Sequence, residues 1–245
     1  MVAIVKGTDS ERVKSIIKRK IPLEKRRTVR EVTLDMAASM EEIVRKVFSR
    51  ATLVTDRFHV QKLAFDALQE MRIKYRWEAL EQENKEIELA RQEGLTFKMH
   101  RLENGDSPKQ LLARSRYLLF KRKDQWSPSQ IHRAEILFKH YPKIEQAYEL
   151  TQQLGAIYRN VKDKGVAYTK LARWYNEVDL AKFKSFNTIS RTIQNHYETI
   201  LNFFERRSTN AAAESFNAKI KAFRSQFRGV RNISFFLYRL AKIYG

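Results

Sequence analysis

Two stretches, Ala51-Thr-Leu-Val-Thr-Asp-Arg-Phe-His-Val60 and the earlier Glu31-Val-Thr-Leu-Asp-Met36, decide how this chain is read. In each, a short aliphatic and β-branched run stops at an aspartate, Asp56 or Asp35, and a segment with helical spacing follows. Such runs suit a pleated, half-buried strand, and open α/β sheets gather ligands at the carboxyl ends of their strands. Both carboxylates are therefore expected at one sheet edge. A third run, Val2-Ala-Ile-Val5, reads as another strand. Between the runs lie amphipathic segments, with Val13, Ile16 and Ile17 in one and Met40, Ile43, Val44, Val47 and Phe48 in the other. Strands alternating with helices predict a parallel sheet. Three strands are fewer than an open sheet normally has, so the chain is expected to begin inside a domain.

Outward from these runs the chain is basic and helical. It carries 48 Lys and Arg against 28 Asp and Glu, a net +20 over 245 residues. That excess favours a polyanionic partner, nucleic acid above all. Seven Gly and four Pro in a chain rich in Lys, Glu, Leu, Ala and Arg predict mostly helix. Zero cysteines exclude disulfides and thiolate zinc sites and fit a reducing compartment. No apolar stretch reaches the roughly 18 residues of a membrane span, and Met1-Val-Ala-Ile-Val-Lys6 turns polar too early for a signal peptide. No membrane partner is expected.

From Arg57 onward no strand is expected. A helix over residues 58–94 begins apolar, with Leu63, Phe65, Leu68 and Met71, and becomes densely charged after Trp77. Its end, 81–93, reads as a solvated or coiled-coil-like extension. Asn104-Gly-Asp-Ser-Pro108 is a turn, with Glu103 and Asp106 read as surface charges. Residues 109–123 read as one basic helix carrying Arg114, Arg116, Lys121, Arg122 and Lys123 beside Tyr117 and Phe120. Phosphate contact is one reading of it; a solvated face over core aromatics is the other. Ser127-Pro128 opens a helix and Tyr141-Pro142 closes it. Further helices are expected through Trp174 and over 180–204, with Trp126 and Trp174 in the core.

The segment Ser208-Thr-Asn-Ala-Ala-Ala-Glu-Ser-Phe-Asn-Ala-Lys-Ile-Lys221 places Glu214 near the start of a helix capped by Ser208 or Asn210. A carboxylate is favoured there by the helix dipole. Helical spacing sets Asn217, Lys221, Arg224 and Arg228 on roughly its face and Phe216, Ile220, Phe223 and Phe227 on the other. Residues 214–245 hold seven Lys and Arg and one acid. An acid heading a basic ridge suits a cation site flanked by phosphate contacts. Each residue also has a plainer reading: Asp35 and Asp56 as helix caps, His59 as a packed core histidine, Glu214 as a dipole partner.

Taken in order, these residues resemble the DDE transposases of bacterial insertion sequences, of the ISL-three type, over almost the whole chain. Leu34-Asp-Met36, residues 51–60, Arg114-Ser-Arg-Tyr-Leu-Leu119 and residues 209–221 carry the resemblance. Most specific is Asp-Arg-Phe-His followed far downstream by Asn-x-x-x-Glu-x-x-Asn. The resemblance implies an α/β, mostly helical chain: a truncated ribonuclease-H-like core with a large helical insertion. Residues 1–60 would be partial core, 61–205 the insertion, and 206–245 the core helices bearing the third acid. It implies Asp35 and Glu214 as catalytic acids and metal ligands, Asp56 and His59 as an Asp-x-x-His signature, and Asn217 as support. It also implies DNA contact by Lys219, Lys221, Arg224 and Arg228, to which we add Arg114 and Arg116 of the basic helix. An alternative alignment makes Asp56 the second acid of the triad. The implied chemistry is phosphoryl transfer on transposon ends assisted by Mg²⁺ or Mn²⁺, in a bacterial cytoplasm at the nucleoid. The implied partners are DNA and a further copy or an intact transposase.

The sequence departs from the family at the first aspartate, expected on a strand ahead of a Lys-Gly hairpin. Asp9 does not replace it, because it sits in a Thr-Asp-Ser helix cap. A DNA-binding segment with a cysteine-bearing zinc element is also expected upstream. The chain is thus read as a C-terminal portion, inactive alone. Two other expectations compete: a non-catalytic basic helical protein that binds DNA or dimerises, and a self-contained nuclease using Asp35, Asp56 and His59.

Overall fold

The computed structural model describes residues 9–207, 211–227, 229 and 231–244, and of residues 211–214, 217, 241 and 244 the backbone alone. In chain order the elements are α1 (Ser10–Lys20), α2 (Leu23–Arg27), β1 (Glu31–Leu34), α3 (Ala38–Val47), β2 (Thr52–Thr55), α4 (Arg57–Gln92) and α5 (Pro108–Arg114). They continue as α6 (Pro128–His140), α7 (Pro142–Asn160), α8 (Lys164–Ala181), α9 (Lys184–Asn195), α10 (Tyr197–Arg206), α11 (Ala211–Gln226) and α12 (Ile233–Tyr244). Two compact units result, one of residues 1–59 with 196–245 and one of residues 60–195. The strand expected at 2–5 and the cation Arg228 lie outside the described residues.

In the first unit β1 and β2 pair in parallel, Glu31 with Thr52 through Leu34 with Thr55. A parallel pair needs a crossover, and α3 supplies it, burying Ile43, Val44 and Val47. Arg26 fastens the approach to β1 by donating to the carbonyls of Ile21 and Val47, both at 3.0 Å. Lys14 is buried on α1 and pairs with Glu11 at 2.6 Å and Glu42 at 2.7 Å. Hydrogen bonding to these two carboxylates raises its pKa, Glu11 acting most.

The helix expected over 180–204 is two helices, α9 and α10, broken at His196. The reason is that their apolar stripes serve different cores. Helix α10, which the sequence places at the end of the insertion, packs Ile200, Leu201, Phe203 and Phe204 in the unit that holds the strands. The amides of Thr52 and Asp56 point to β1, onto the carbonyls of Arg30 and Leu34. The carbonyl of Leu53, on the opposite side of β2, accepts from Asn202 Nδ2 at 2.9 Å. A side chain of α10 thus satisfies an edge that another strand would otherwise take. In α11 and α12 the buried Phe223 ring meets Phe227 at 4.4 Å and Phe236 at 5.2 Å.

The second unit has helices and no strand among its described residues. Consecutive helices α6 to α9 pack on one another around Leu68, Leu111, Leu137, Ile144, Leu154 and Trp174. Arg72 is buried on α4 and donates to Gln69 Oε1 at 2.7 Å and to the Leu112 carbonyl at 2.9 Å. Burial lowers its pKa.

The single basic helix expected over 109–123 stops at Arg114 and is followed by 3-10 turns at Leu118–Phe120 and Lys123–Gln125. Buried Leu118 and Leu119 require the chain to turn inward, and Trp126 Nε1 holds the turn by donating to the Leu118 carbonyl at 2.8 Å. Trp126 packs against Phe138 and Tyr148, and Trp174 is buried with Nε1 on the Leu150 carbonyl. Tyr117 and Phe120 are exposed rather than core. Asp106, read as a surface charge, is 2 % exposed. It ties the turn together by accepting from Arg114 and from Asn104 Nδ2, with Arg133 at 3.9 Å. Gly105 precedes it at φ +79°, a conformation that side chains other than Gly's resist.

Candidate functional site

The carboxyl edge of the two strands is built twice from one local device. Asp35 Oδ1 accepts from the Ala37 amide, and Asp56 Oδ1 accepts from the Phe58 amide, both at 3.1 Å. Each aspartate bends the chain out of its strand through the i+2 amide, as short acidic side chains do in Asx turns. Helix α4 begins directly after Asp56, whereas α3 begins only at Ala38, with Ala37 at its cap. Asp56 therefore serves as the cap of α4, while Asp35 stands three residues ahead of α3 and is not its N-cap.

The register brings the two acids together. Leu34 faces Thr55, and the Asp56 amide donates to the Leu34 carbonyl at 3.0 Å. Asp35 and Asp56 thus leave adjacent parallel strands, spaced by about 4.8 Å, at the same edge. Their surroundings differ. Asp35 is half-buried, whereas Asp56 is 2 % exposed and its Oδ2 is buried without a hydrogen-bond partner among the described residues. A buried, unsatisfied carboxylate oxygen is costly, and a cation is one thing that relieves it.

His59 sits one turn into α4. Its amide donates to the Asp56 carbonyl at 3.1 Å, and its ring lies edge-on to Phe58 at 5.8 Å. The ring itself has no hydrogen bond among the described residues, so the tie to Asp56 is through the backbone. Thr55 and Thr199 share a hydroxyl bond at 2.8 Å, which locks the end of β2 to α10 immediately before Asp56. Neither Thr199 nor Asn202 stands out in sequence, because a polar residue on an amphipathic helix signals only its exposed side.

Glu214 and Asn217 lie on α11, but their side chains are outside the described residues, as are those of residues 211–213. Lys219, Lys221 and Arg224 on the same helix are exposed. Lys221 and Arg224 line a cleft of about 740 Å³ with Phe227, Ile233 and Phe236. No group of three His, Asp or Glu side chains fit to hold a metal occurs among the described residues.

In the second unit the basic candidates divide. Arg114 is held by the buried Asp106, which makes it part of the turn's structure. Arg116 is exposed and lies over the Tyr117 ring at 5.4 Å. Sequence reasoning missed another basic feature, in the first unit. Lys18, Arg19, Lys20, Lys25, Arg27 and Arg30 are exposed around the α1–α2 corner and have no ion pair among the described residues. A signal for it exists in the sequence: seven basic residues against one acid between 18 and 30. This corner lies toward the amino end of β1, opposite the two aspartates.

No helix among the described residues is long and apolar enough to cross a membrane. Compared with known proteins, the chain matches over residues 1–240 a family model whose description is transposase, of the DDE ISL-three type. No curated protein and no solved structure gives a significant match.

Proposed function

The chain belongs to the ISL-three family of transposases, and on that premise we propose that it carries part of a metal-assisted phosphoryl-transfer site for transposon-end DNA. In this proposal the first unit is a ribonuclease-H-like core and the second is its helical insertion. The observation that carries the reading is the pair of aspartates on register-matched strand ends, one with an orphaned buried oxygen. Hard carboxylate oxygens without thiolates suit Mg²⁺ or Mn²⁺.

Asp35 and Glu214 would hold the metal, with Asp56 beside them. The orphaned Oδ2 equally suits the alignment that makes Asp56 the second acid. When bound, divalent metal stabilises the charge that develops around a phosphate under attack. The protein's own part is to present the carboxylates on rigid strand ends and to hold DNA. Lys219, Lys221 and Arg224, with the α1–α2 corner, would neutralise phosphates on either side. Asn217 and His59 would orient the groups near the site.

Asp9 is the one aspartate ahead of Asp35, and it caps α1 by accepting from the Arg12 amide at 2.8 Å. With two acids of the triad, these 245 residues alone are proposed to leave DNA uncut. The experiment is incubation with transposon-end DNA and Mg²⁺ or Mn²⁺, alone and with an added polypeptide that supplies the family's first aspartate. Cleavage only in the mixture, abolished by Asp35→Asn, is the expected result. Nicking by the chain alone that requires Asp35, Asp56 and His59 would instead establish the self-contained nuclease. Salt-sensitive DNA binding with no metal-dependent cleavage in either case would leave a DNA-binding protein.

A further inference from the structure

The second unit carries a feature that DNA cleavage does not use. Helix α4 buries Val60, Ala64, Ala67 and Leu68 in its first half and then continues to Gln92. In this second half one face meets its own unit: the Tyr75 ring lies 5.3 Å from that of Tyr141, and Glu83 pairs with Lys109. Tyr75, Ala79, Glu83 and Glu86 line a cleft of about 520 Å³ on that side. More than a third of a turn away on the helix, Ile73, Trp77, Leu80, Asn84 and Ile87 form a second stripe. Ile73 is 43 % exposed, Trp77 57 % and Ile87 41 %. Isolated apolar residues on a surface need no explanation, but a contiguous stripe does.

The spacing of this stripe alternates four and three residues, which is the a/d seam of a heptad, with Asn84 at an interior a position. It runs about 21 Å along the helix axis. Its flanks carry a charge gradient. Lys74 and Arg76 stand at the start, whereas residues 78–93 hold six Glu against Lys85 and Arg91 in a chain of net +20. Such an acidic flank repels nucleic acid, so the partner is protein. Two copies laid in parallel would set acidic end beside acidic end, Glu83 of each against Glu88 of the other, with Arg76 against Glu81 as the attractive contact. Laid antiparallel, they set the Lys74–Arg76 end of each against the Glu86–Glu88 end of the other. Arg76 and Glu88 have no ion pair among the described residues and are available for this.

We propose that the outer stripe of α4 is the seam of an antiparallel two-helix coiled coil formed with a second copy of this chain. The proposal stands on the second unit alone and does not depend on the metal site. The chain has no cysteine, so cysteines placed in the seam report without background. Under mild oxidation Leu80→Cys, near the midpoint, is expected to cross-link to itself. Ile73→Cys is expected to stay single but to cross-link to Ile87→Cys when the two variants are mixed. Ile73→Cys joining itself efficiently would mean parallel pairing and overturn the proposal. In sedimentation the unmodified chain is expected as a dimer. Trp77→Glu with Ile87→Glu should weaken self-association at least tenfold while circular dichroism shows the same helix content, since both side chains are exposed. An unmodified chain that stays monomeric at tens of micromolar, or a dimer indifferent to the double substitution, would also overturn it.

Discussion

Leu34 and Thr55 face each other on parallel strands, and the residue after each is an aspartate whose Oδ1 turns the chain into its next segment. One register therefore sets both the geometry of the edge and the neighbourhood of the two acids. A slip of one residue would send one of them to the other face. The consequence is testable at Asp56, which caps α4 with one oxygen and is proposed to meet a cation with the other.

Asparagine caps a helix about as well as aspartate, so Asp56→Asn keeps the bond to the Phe58 amide. It also replaces a buried carboxylate, whose Oδ2 has no partner among the described residues, by a neutral amide. Without metal, the variant is expected to melt no lower than the parent chain. Any rise in melting temperature on adding Mn²⁺ is expected to shrink or vanish. Asp56→Ala loses the cap as well and should cost about 1 kcal/mol. A metal-induced rise that survives in Asp56→Asn would count against Asp56 in cation binding.

Asn202 protects the outer edge of β2 through the Leu53 carbonyl. Replacing it with Leu leaves that acceptor unpaired beside an apolar helix, a destabilisation on the order of 1–2 kcal/mol. The edge so exposed is also a template for pairing with other chains. Asn202→Leu is therefore expected to melt earlier and to aggregate more at equal concentration, as light scattering during a melt would record.

In the proposed function the α1–α2 corner and the α11 ridge are expected to make separable contributions to DNA affinity. Removing one cation from a duplex phosphate reduces the slope of log affinity against log salt by about 0.9. Lys18→Gln, Arg19→Gln and Lys20→Gln together are expected to flatten the slope by up to about 2.7 on any sequence. A change in affinity with an unaltered slope would place these residues away from the DNA backbone. Lys221→Gln with Arg224→Gln is expected to flatten it independently.

What the sequence made legible depended on how local each signal was. The two strands, the parallel pairing and the helices α6 and α7 follow from short runs, caps and prolines. Ser127 accepts from the Gln130 amide, and Pro142 opens α7, as their neighbours predict. Sequence and structure differ where a distant interaction overrides a local pattern. Residues 109–123 have helical periodicity, yet Leu118 and Leu119 are drawn into a core that bends the chain at Ser115. The stretch 180–204 keeps one stripe in sequence but feeds two cores in space. Asp106 lies in a polar turn and is buried because Arg114 and Arg133 close over it. At the site, the edge placement of Asp35 and Asp56 was readable. The unpartnered Oδ2 and the Thr199 and Asn202 anchors were not, since they depend on α10 meeting β2 from far along the chain.

Asp106 and Glu103 give the last prediction, because neighbouring acids in one turn should respond to substitution to very different extents. Asp106 is buried and joins Arg114, Arg133 and Asn104. Asp106→Ala breaks that buried polar cluster and is expected to cost about 3 kcal/mol. Glu103 is exposed and held by Lys139 and, at 3.3 Å, by His140. The hydrogen bond from Lys139 is the main cause that lowers its pKa from 4.5 to about 2. A carboxyl whose folded pKa is depressed stabilises the fold above its unfolded pKa, and that contribution fades as pH falls toward the folded value. Glu103→Gln should therefore lower the melting temperature slightly at neutral pH and leave it unchanged once pH has fallen to the folded pKa of about 2. The gap between variant and parent should close as pH falls from 4.5 to about 2. A gap that stays constant across that window would show that the Lys139 pair contributes nothing to stability, as is common for exposed pairs.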